Sequence, residues 1–211
     1  MIRILIADDH PFVRRGVKQV LTDEFPGVLL GEASTAPEVL EQAGKHQWNL
    51  IILDLTMPGR DGLDALHELR SRCSDTPVLV LSMHPEDQFA VRVLRAGAAG
   101  YLTKESIPEE LVQAVRKIMA DGKYIRPSVA DLLATQLQQG DVNQPPHARL
   151  SDREFQVLGL IAHGKTVTHI AEELALSVKS VSTYRARIME KLHLNSTADL
   201  TRYALEHRLI V

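Results

Sequence analysis

Short apolar runs alternate with longer amphipathic stretches along residues 1–122. The apolar runs lie near 2–7, 28–33, 50–54, 77–82 and 100–103, and the amphipathic stretches near 11–22, 36–45, 62–72, 86–96 and 108–121. Runs as long as buried strands, separated by stretches as long as helices, are typical of a parallel sheet between two layers of helices. The pattern therefore predicts an α/β fold of five βα units.

From Leu150 to the end of the chain, the hydrophobic periodicity is helical throughout. Helices are predicted near 152–163, 167–174, 178–192 and 196–206. Ser151, followed three residues later by Glu154, forms a capping-box pattern at the start of the first of these helices. The tight bend between the second and third helices is typical of a helix-turn-helix, whose second helix enters the major groove of DNA. This part of the chain is therefore predicted to be an all-α domain.

A linker is predicted between the two patterned regions. Residues 128–138 could form a short helix, whereas residues 138–146 lack hydrophobic periodicity and contain a proline pair. We therefore place one domain at 1–122 and a second at 149–211, joined by a linker over 123–148.

The composition is that of a soluble folded protein, with 45% apolar and 24% charged residues in a chain of 211. No apolar stretch reaches the roughly 18–20 residues that span a bilayer, and no signal-peptide pattern is seen at the N-terminus. Cys73 is the single cysteine, so an internal disulfide is excluded and a reducing compartment is expected. We therefore predict a cytoplasmic protein without a membrane partner.

Charge is distributed unevenly along the chain. Residues 1–122 hold 13 Lys and Arg against 18 Asp and Glu, a net charge of −5. Residues 149–211 hold 9 Lys and Arg against 7 acids, a net charge of +2. This contrast is too small to indicate nucleic-acid binding by itself, so the positions of the basic residues carry the argument.

Polar residues close four of the predicted strands. Asp8 and Asp9 follow the first strand, Asp54 ends the third, Ser82 ends the fourth and Lys104 follows the fifth. Ligands of open parallel sheets bind outside the carboxyl ends of the strands, so these side chains should converge. A single aspartate at a strand end is most often a helix cap or a turn residue. Five such residues at four strand ends instead indicate a site for a divalent cation and a phosphoryl group.

Converging carboxylates resist ionisation unless a cation lies among them. Mg²⁺ binds carboxylates, waters and phosphate oxygens, so we expect Asp9, Asp54 and the backbone carbonyl of Thr56 to be its direct ligands. Asp8 is expected to act through water. Asp54 could then attack a phosphoryl donor, and Lys104 would supply positive charge to the phosphoryl oxygens.

Four segments of this region resemble the receiver domain of two-component response regulators, which accepts a phosphoryl group. They are residues 6–10, 53–62, 81–82 and 97–104. The resemblance implies a flavodoxin-like (βα)5 fold. It also implies Asp54 as phosphoacceptor, Asp8 and Asp9 in the metal pocket, Lys104 as charge partner, Ser82 as switch hydroxyl and Tyr101 as switch aromatic. Many receivers have a proline after the lysine, often with a cis bond; Glu105 stands there in this chain, where a cis bond would cost about 2.5–4 kcal/mol.

The implied switch has a simple physical basis. A phosphoryl group on Asp54 adds negative charge and three acceptor oxygens. Ser82 can donate a hydrogen bond to one of these oxygens and draw its loop inward, and Tyr101 can then turn into the vacated space. Phosphorylation would thus shift the population between two packings of the face formed by 86–96 and 100–103.

The predicted helix 178–192 has an apolar face and a basic face. Val181, Ile188 and Leu192 form an apolar stripe for the domain core. The residues expected to contact DNA are Lys179, Ser182, Thr183, Tyr184, Arg185, Arg187 and Lys191. Lysine and arginine neutralise phosphates, while serine and threonine are short enough to approach base edges. The alternative interpretation is a solvated basic face, which is less attractive because a helix, a turn and a cap precede it in register.

Residues 150–211 resemble the LuxR-type (NarL/FixJ) DNA-binding domain. The resemblance is carried by residues 150–154, 170–174, 177–185 and 188–192. It implies a four-helix domain that dimerises partly through its last helix, near 196–206. A dimer would bind half-sites about one DNA turn apart.

Together the two resemblances imply a response regulator that acts as a transcription factor. A sensor histidine kinase would phosphorylate Asp54, which would control dimerisation and binding to promoter DNA, with a homodimer in the phosphorylated or DNA-bound state. Such a protein accepts a phosphoryl group but is not a turnover enzyme. One alternative is a phosphohydrolase with an aspartate nucleophile, which would need a second acid where Thr56 stands. The other is an interaction module that is never phosphorylated, which would not require the complete set of pocket residues.

Overall fold

The computed structural model of the chain describes residues 2–57, 62–83, 85–108, 110–139, 145–174, 176–207 and 209. The chain divides into two compact units, Met1–Thr135 and Gln136–Val211. Residues 58–61 of the receiver-like segments and residues 140–144 of the predicted linker lie outside the described residues.

The first unit is built on a five-stranded parallel sheet. Its strands are β1 Arg3–Ala7, β2 Leu29–Ala33, β3 Leu50–Asp54, β4 Val78–Ser82 and β5 Gly100–Thr103. The helices between and after them are α1 Pro11–Glu24, α2 Ala36–Lys45, α3 Gly62–Arg72, α4 Glu86–Arg95 and α5 Leu111–Asp121. The strand order is β2-β1-β3-β4-β5, and all neighbouring strands are parallel. The predicted (βα)5 fold is confirmed.

The central strands are buried on both faces, which explains their unbroken apolar sequences. Every residue of β3 and β4 is buried, as are the last four residues of β1. Strands that bury both faces lack the alternation of a half-exposed sheet. The edge strand β2 is more polar and has one buried residue, Ala33. This core fixes the strand ends at which the polar residues stand.

Helix α5 begins three residues later than its periodicity predicts. Lys104–Ser106 forms one turn of 3₁₀ helix, and the N–H of Glu110 donates to the carbonyl of Ser106 before α5 begins at Leu111. The first α-helical residue is therefore Leu111 and not residue 108, because the 3₁₀ turn and the hydrogen bond of Glu110 precede the helix. After α5, the chain continues into a further helix, α6 Pro127–Gln139.

Gly62, the first residue of α3, lies close to the backbone of Leu55, just after β3. Its N–H donates to the carbonyl of Leu55, 3.2 Å away. A Cβ atom at this position would lie 2.3 Å from the Cα of Leu55, so a side chain would push apart the segment that follows Asp54. Glycine is required here for close backbone approach and not for an unusual φ angle.

The second unit is all-helical in its described residues, as predicted. Its α-helices are α7 Asp152–Ala162, α8 Val167–Glu173, α9 Val178–Leu192 and α10 Thr197–Glu206. Ser151 and Glu154 form the predicted capping box at the start of α7. Serine or threonine side chains also cap the other three helices, which fixes where each one begins. None of the helices in the described part of the chain is long and apolar enough to cross a membrane.

Candidate functional site

The carboxyl ends of β1 and β3 bring three acids together. The two strands are neighbours in the sheet, so Asp8, just beyond β1, lies near Asp54 at the end of β3. Asp8 and Asp54 are 2% and 1% exposed. Carboxylate oxygens of Asp8, Asp9 and Asp54 and a ring nitrogen of His10 lie within 4.8 Å of one another. The predicted convergence of the acids is therefore observed.

Lys104 partly balances this negative charge. Its ammonium group lies 2.8 Å from Asp8 Oδ2 and 2.8 Å from Asp54 Oδ2. Burial acts to lower the pKa of Lys104, but the adjacent carboxylates of Asp54 and Asp8 outweigh burial and raise the pKa. The ammonium group therefore stays protonated at neutral pH between the two acids.

The acidic pocket keeps an excess of negative charge. Burial raises the pKa of Asp54, and the charge of Asp8 adds to this rise, whereas Lys104 opposes it. The N–H of Thr56 donates to Asp54 Oδ1 at 3.1 Å. Asp9, whose side chain is 27% exposed, adds a third carboxylate. A buried group of carboxylates with one ammonium matches the oxygen-rich surroundings that a hard divalent cation requires.

Ser82 and Tyr101 lie on the neighbouring strands β4 and β5. Ser82 is fully buried and Tyr101 is 2% exposed. Burial raises the pKa of the Tyr101 phenol, and a hydrogen bond with the Ser82 side chain acts in the opposite direction. Tyr101 thus already occupies an inward position, whereas the sequence led us to expect that it turns inward only after Ser82 moves.

The loop after Lys104 has its cis peptide bond at Ile107–Pro108. The bond between Lys104 and Glu105 is not among the cis bonds of the described residues. The peptide bond between Lys104 and Glu105, where many receivers have a proline, is therefore trans.

Helix α9 presents a polar face opposite its buried stripe. Val181, Ile188 and Leu192 are buried, as predicted. Of the residues expected to contact DNA, Lys179, Thr183, Arg187 and Lys191 are exposed, while Ser182, Tyr184 and Arg185 are half-buried. One turn spacing places Lys179, Thr183 and Arg187 along the same exposed side of the helix. The exposed side of α9 therefore carries two cationic side chains and one short hydroxyl side chain.

Comparison with known proteins identifies both units. Residues 4–116 match the response regulator receiver domain, and residues 148–204 match the bacterial regulatory proteins of the luxR family. The chain belongs to the LuxR-type response regulators.

The relatives of this response regulator match it over nearly its whole length. Response regulator UvrY of Escherichia coli (strain K12) is 34% identical over 99% of this chain and 96% of its own. Response regulator GacA of Pseudomonas aeruginosa is 38% identical over 100% of this chain and 98% of its own. RcsB of Salmonella enterica serovar Typhimurium, solved bound to a promoter with the phosphomimetic BeF₃⁻, is 29% identical with a TM-score of 0.60, covering 96% and 97% of the two chains. These relatives are response regulators and not turnover enzymes, which decides against the phosphohydrolase alternative.

Arg14 is a residue of this response regulator's pocket that the sequence did not reveal. Its guanidinium donates to the backbone carbonyl of Asp8 at 2.6 Å. Glu32 on β2 lies 3.4 Å from the guanidinium of Arg14 and 2.7 Å from the ammonium of Lys18. Arg14 therefore holds the backbone that carries the first acid. In the sequence it is one basic residue of an amphipathic helix, with no feature that distinguishes it from a solvated one.

Lys191 has a different environment from the other basic residues of α9. Its ammonium lies 2.6 Å from a carboxylate oxygen of Glu154, whose side chain is 4% exposed. Burial acts to raise the pKa of Glu154, but hydrogen bonds from Lys191 and Ser151 outweigh burial and lower the pKa. The ammonium group of Lys191 thus pairs with the α7 capping box while its side chain remains 39% exposed, and its contact with DNA stays a prediction.

Replacing Lys191 with methionine is expected to destabilise the second unit by about 1–3 kcal/mol, because the buried carboxylate of Glu154 loses its cationic partner. The depressed pKa of Glu154 means that this stabilisation is present above pH 4.5, the ordinary value, and is lost as the pH falls below it. Chemical denaturation at pH 7 and pH 3.5 measures both effects. In the double variant Lys191→Met/Glu154→Gln the loss should be smaller, and equal losses in the two variants would contradict the pairing.

Proposed function

We propose that a sensor histidine kinase phosphorylates Asp54 of this response regulator, and that the phosphoryl group controls homodimerisation and binding to promoter DNA. The observation that carries the proposal is the position of the Lys104 ammonium, 2.8 Å from carboxylate oxygens of both Asp8 and Asp54. A cation placed between a buried acid pair can contact both a nucleophilic carboxylate and the group that it receives.

Mg²⁺ fits the donor set of the pocket, because three carboxylates and one lysine leave uncompensated negative charge. We propose Asp9, Asp54 and the backbone carbonyl of Thr56 as its direct ligands, with Asp8 held through water. When bound, the ion would lower the repulsion between the carboxylates and an incoming phosphoryl group. The family match and the acidic cluster support this assignment.

In the proposed reaction, a carboxylate oxygen of Asp54 attacks the phosphorus atom of a phosphohistidine. A P–O bond forms, and the P–N bond to the histidine ring breaks, so that the ring nitrogen leaves with the bonding electrons. Lys104 stays charged and can donate to a phosphoryl oxygen as the negative charge moves into the pocket. Burial of Asp54 excludes water from the acyl phosphate that results.

The proposed switch depends on competition for the hydroxyl group of Ser82. This hydroxyl is paired with the phenol of Tyr101, and a phosphoryl oxygen on Asp54 is a stronger acceptor. A shift of Ser82 towards the phosphoryl group would weaken its bond to Tyr101 and alter the packing between β5 and α4. The energy that drives the change is the difference between these bonds in the two states.

For DNA binding we propose Lys179, Arg185, Arg187 and Lys191 as phosphate contacts and Ser182 and Thr183 as the side chains nearest the base edges. Tyr184, half-buried beside them, would contact the backbone of the duplex. The luxR-family match over 148–204 and the exposed face of α9 support this set. Dimerisation is proposed to involve α10, and the protein is proposed to act in the cytoplasm.

We further propose that the functional division of the chain is 1–122 for phosphoryl acceptance, 149–211 for DNA binding and 123–148 for the connection. The matched family regions, 4–116 and 148–204, support this division. The compact unit Met1–Thr135 includes the start of the connection, because residues after α5 pack on the receiver.

The proposed function is tested with beryllofluoride, which mimics the acyl phosphate. A duplex selected from random DNA by the protein serves as the operator. Beryllofluoride with Mg²⁺ is expected to tighten binding to this duplex by about tenfold, a typical allosteric coupling, and to convert monomer to dimer in sedimentation. Identical affinity and identical sedimentation with and without beryllofluoride, once its binding to the protein is established, would contradict the proposed control.

A further inference from the structure

The start of the linker is bound to the receiver through its backbone. The N–H of Tyr124 donates to the carbonyl of Ala99 at 2.7 Å, and Tyr124 forms an isolated parallel bridge with Gly100 of β5. The Tyr124 side chain is 8% exposed and belongs to the main hydrophobic core. The first linker residues are therefore part of the receiver fold and extend the edge of the sheet at β5.

Two linker side chains then contact two acids of the receiver. Arg126 contacts Glu86, the first residue of α4, through one guanidinium nitrogen and Glu110, just before α5, through the other, which lies 3.1 Å from Glu110. Ser128, in the first turn of α6, donates its hydroxyl to the second carboxylate oxygen of Glu86. We call these four residues the linker clasp.

The linker clasp is more buried than an ordinary surface ion pair. The side chains of Glu86, Glu110 and Arg126 are 13%, 27% and 32% exposed. The planar guanidinium joins two separate elements of the receiver, and both oxygens of Glu86 have linker partners. Such a network holds its geometry more firmly than an isolated exposed pair.

The clasp and the Ser82–Tyr101 pair lie on successive elements of the receiver. Ser82 ends β4, and Glu86 begins α4 only four residues later. Tyr101, the partner of Ser82, directly follows Gly100, which is bridged to Tyr124. After burial and the Ser82 hydrogen bond, the charges of Glu86 and Asp54 are the next causes that shift the Tyr101 pKa. An acid of the clasp and an acid of the pocket therefore both raise the pKa of the same phenol.

We propose that Glu86 is the receiver's docking residue for the linker, and that a phosphoryl group on Asp54 opens the linker clasp and frees the first turn of α6. This inference rests on the proposed function of Asp54. If the phosphoryl group draws Ser82 and its loop inward, the first residue of α4 moves with them. Glu86 then no longer lies where Arg126 and Ser128 can both reach it, and the linker loses its side-chain anchors while Tyr124 keeps its backbone bond.

Hydrogen–deuterium exchange of the full-length protein tests this inference. The N–H groups of Val129 and Ala130 both donate to the carbonyl of Arg126, so their exchange reports the first turn of α6. In the resting protein, Arg126→Ala and Ser128→Ala should each accelerate this exchange, Arg126→Ala at least fivefold. The matched control is Arg116→Ala on α5, which removes an exposed pair with Glu24 of α1 and should leave the exchange unchanged.

A second arm adds beryllofluoride and Mg²⁺, with bound beryllofluoride detected by fluorine NMR. The wild-type protein should then exchange at least fivefold faster at Val129 and Ala130, and Arg126→Ala should show little further change. If Val129 and Ala130 exchange at the wild-type rate in the resting Arg126→Ala variant, the clasp does not hold the first turn of α6. Unchanged wild-type exchange with beryllofluoride bound overturns its opening, while the proposed function survives. Absence of a bound-fluorine signal instead overturns the proposed function, and with it the coupling.

Discussion

Asp54→Asn is expected to abolish phosphoryl transfer to the protein from acetyl phosphate or a histidine kinase. The carboxylate oxygen is the proposed nucleophile, and an amide oxygen cannot replace it at neutral pH. Loss of an essential reacting group lowers rates by about 10⁴-fold or more, so no labelling should be detected. Mass spectrometry of the intact protein after incubation with acetyl phosphate and Mg²⁺ measures the outcome.

The fold of Asp54→Asn should remain intact, which separates loss of chemistry from loss of structure. Burial raises the pKa of Asp54, so the folded protein disfavours its charged form, and a neutral amide of the same shape should not destabilise the core. The matched control is Asp64→Asn, at an exposed position in the first turn of α3, which should be labelled like the wild type. Labelling of a folded Asp54→Asn protein would show that another residue accepts the phosphoryl group.

Lys179→Ala and Arg187→Ala are each expected to weaken binding to the selected operator duplex. Loss of a contact within the recognition helix costs about 1–3 kcal/mol, which corresponds to roughly 5- to 150-fold in affinity. Because each residue is proposed to neutralise a phosphate, the slope of log affinity against log salt should fall by about one in each variant. Binding titrations at several salt concentrations measure both quantities.

Lys45→Ala is the matched control for the loss of one positive charge. Lys45 is exposed, paired with Glu41 on α2, and lies in the receiver. Its removal should leave operator affinity and salt slope unchanged. If Lys179→Ala and Arg187→Ala keep the wild-type salt slope, α9 does not contact the phosphates through these side chains.

The charged residues of the pocket oppose folding because they are buried, but their charge is useful for binding. Asp8 and Asp54 are almost fully buried, although carboxylates are rarely buried without partners. Lys104 compensates part of their charge. None of these three charged residues contributes apolar packing to the core. An arrangement that opposes stability in this way is expected at a site that binds a charged group.

The helix in the linker was predictable from the sequence, whereas the contacts of the linker with the receiver were not. The sequence predicted a short helix near 128–138, and α6 spans Pro127–Gln139. The periodicity gave no sign that Tyr124 extends β5 or that Arg126 joins α4 to α5. Those contacts depend on residues about 24 and 40 positions apart in the chain. Such distant partners have no pattern in a local window of sequence.

The sequence by itself determined the elements of both units and the place of the pocket. Strand and helix periods follow from local burial, and parallel strands put their carboxyl ends at one edge, so acids that close apolar runs had to meet there. The capping box of Ser151 and Glu154 marked the start of α7 for the same local reason.

Only the tertiary structure decided which charges have partners. It paired Lys104 with both Asp8 and Asp54, paired Lys191 with Glu154, and set Arg14 against the backbone of Asp8. Long basic side chains can adopt many rotamers, and their partners come from other elements. The choice among those partners is therefore made by packing in three dimensions and not by spacing along the chain.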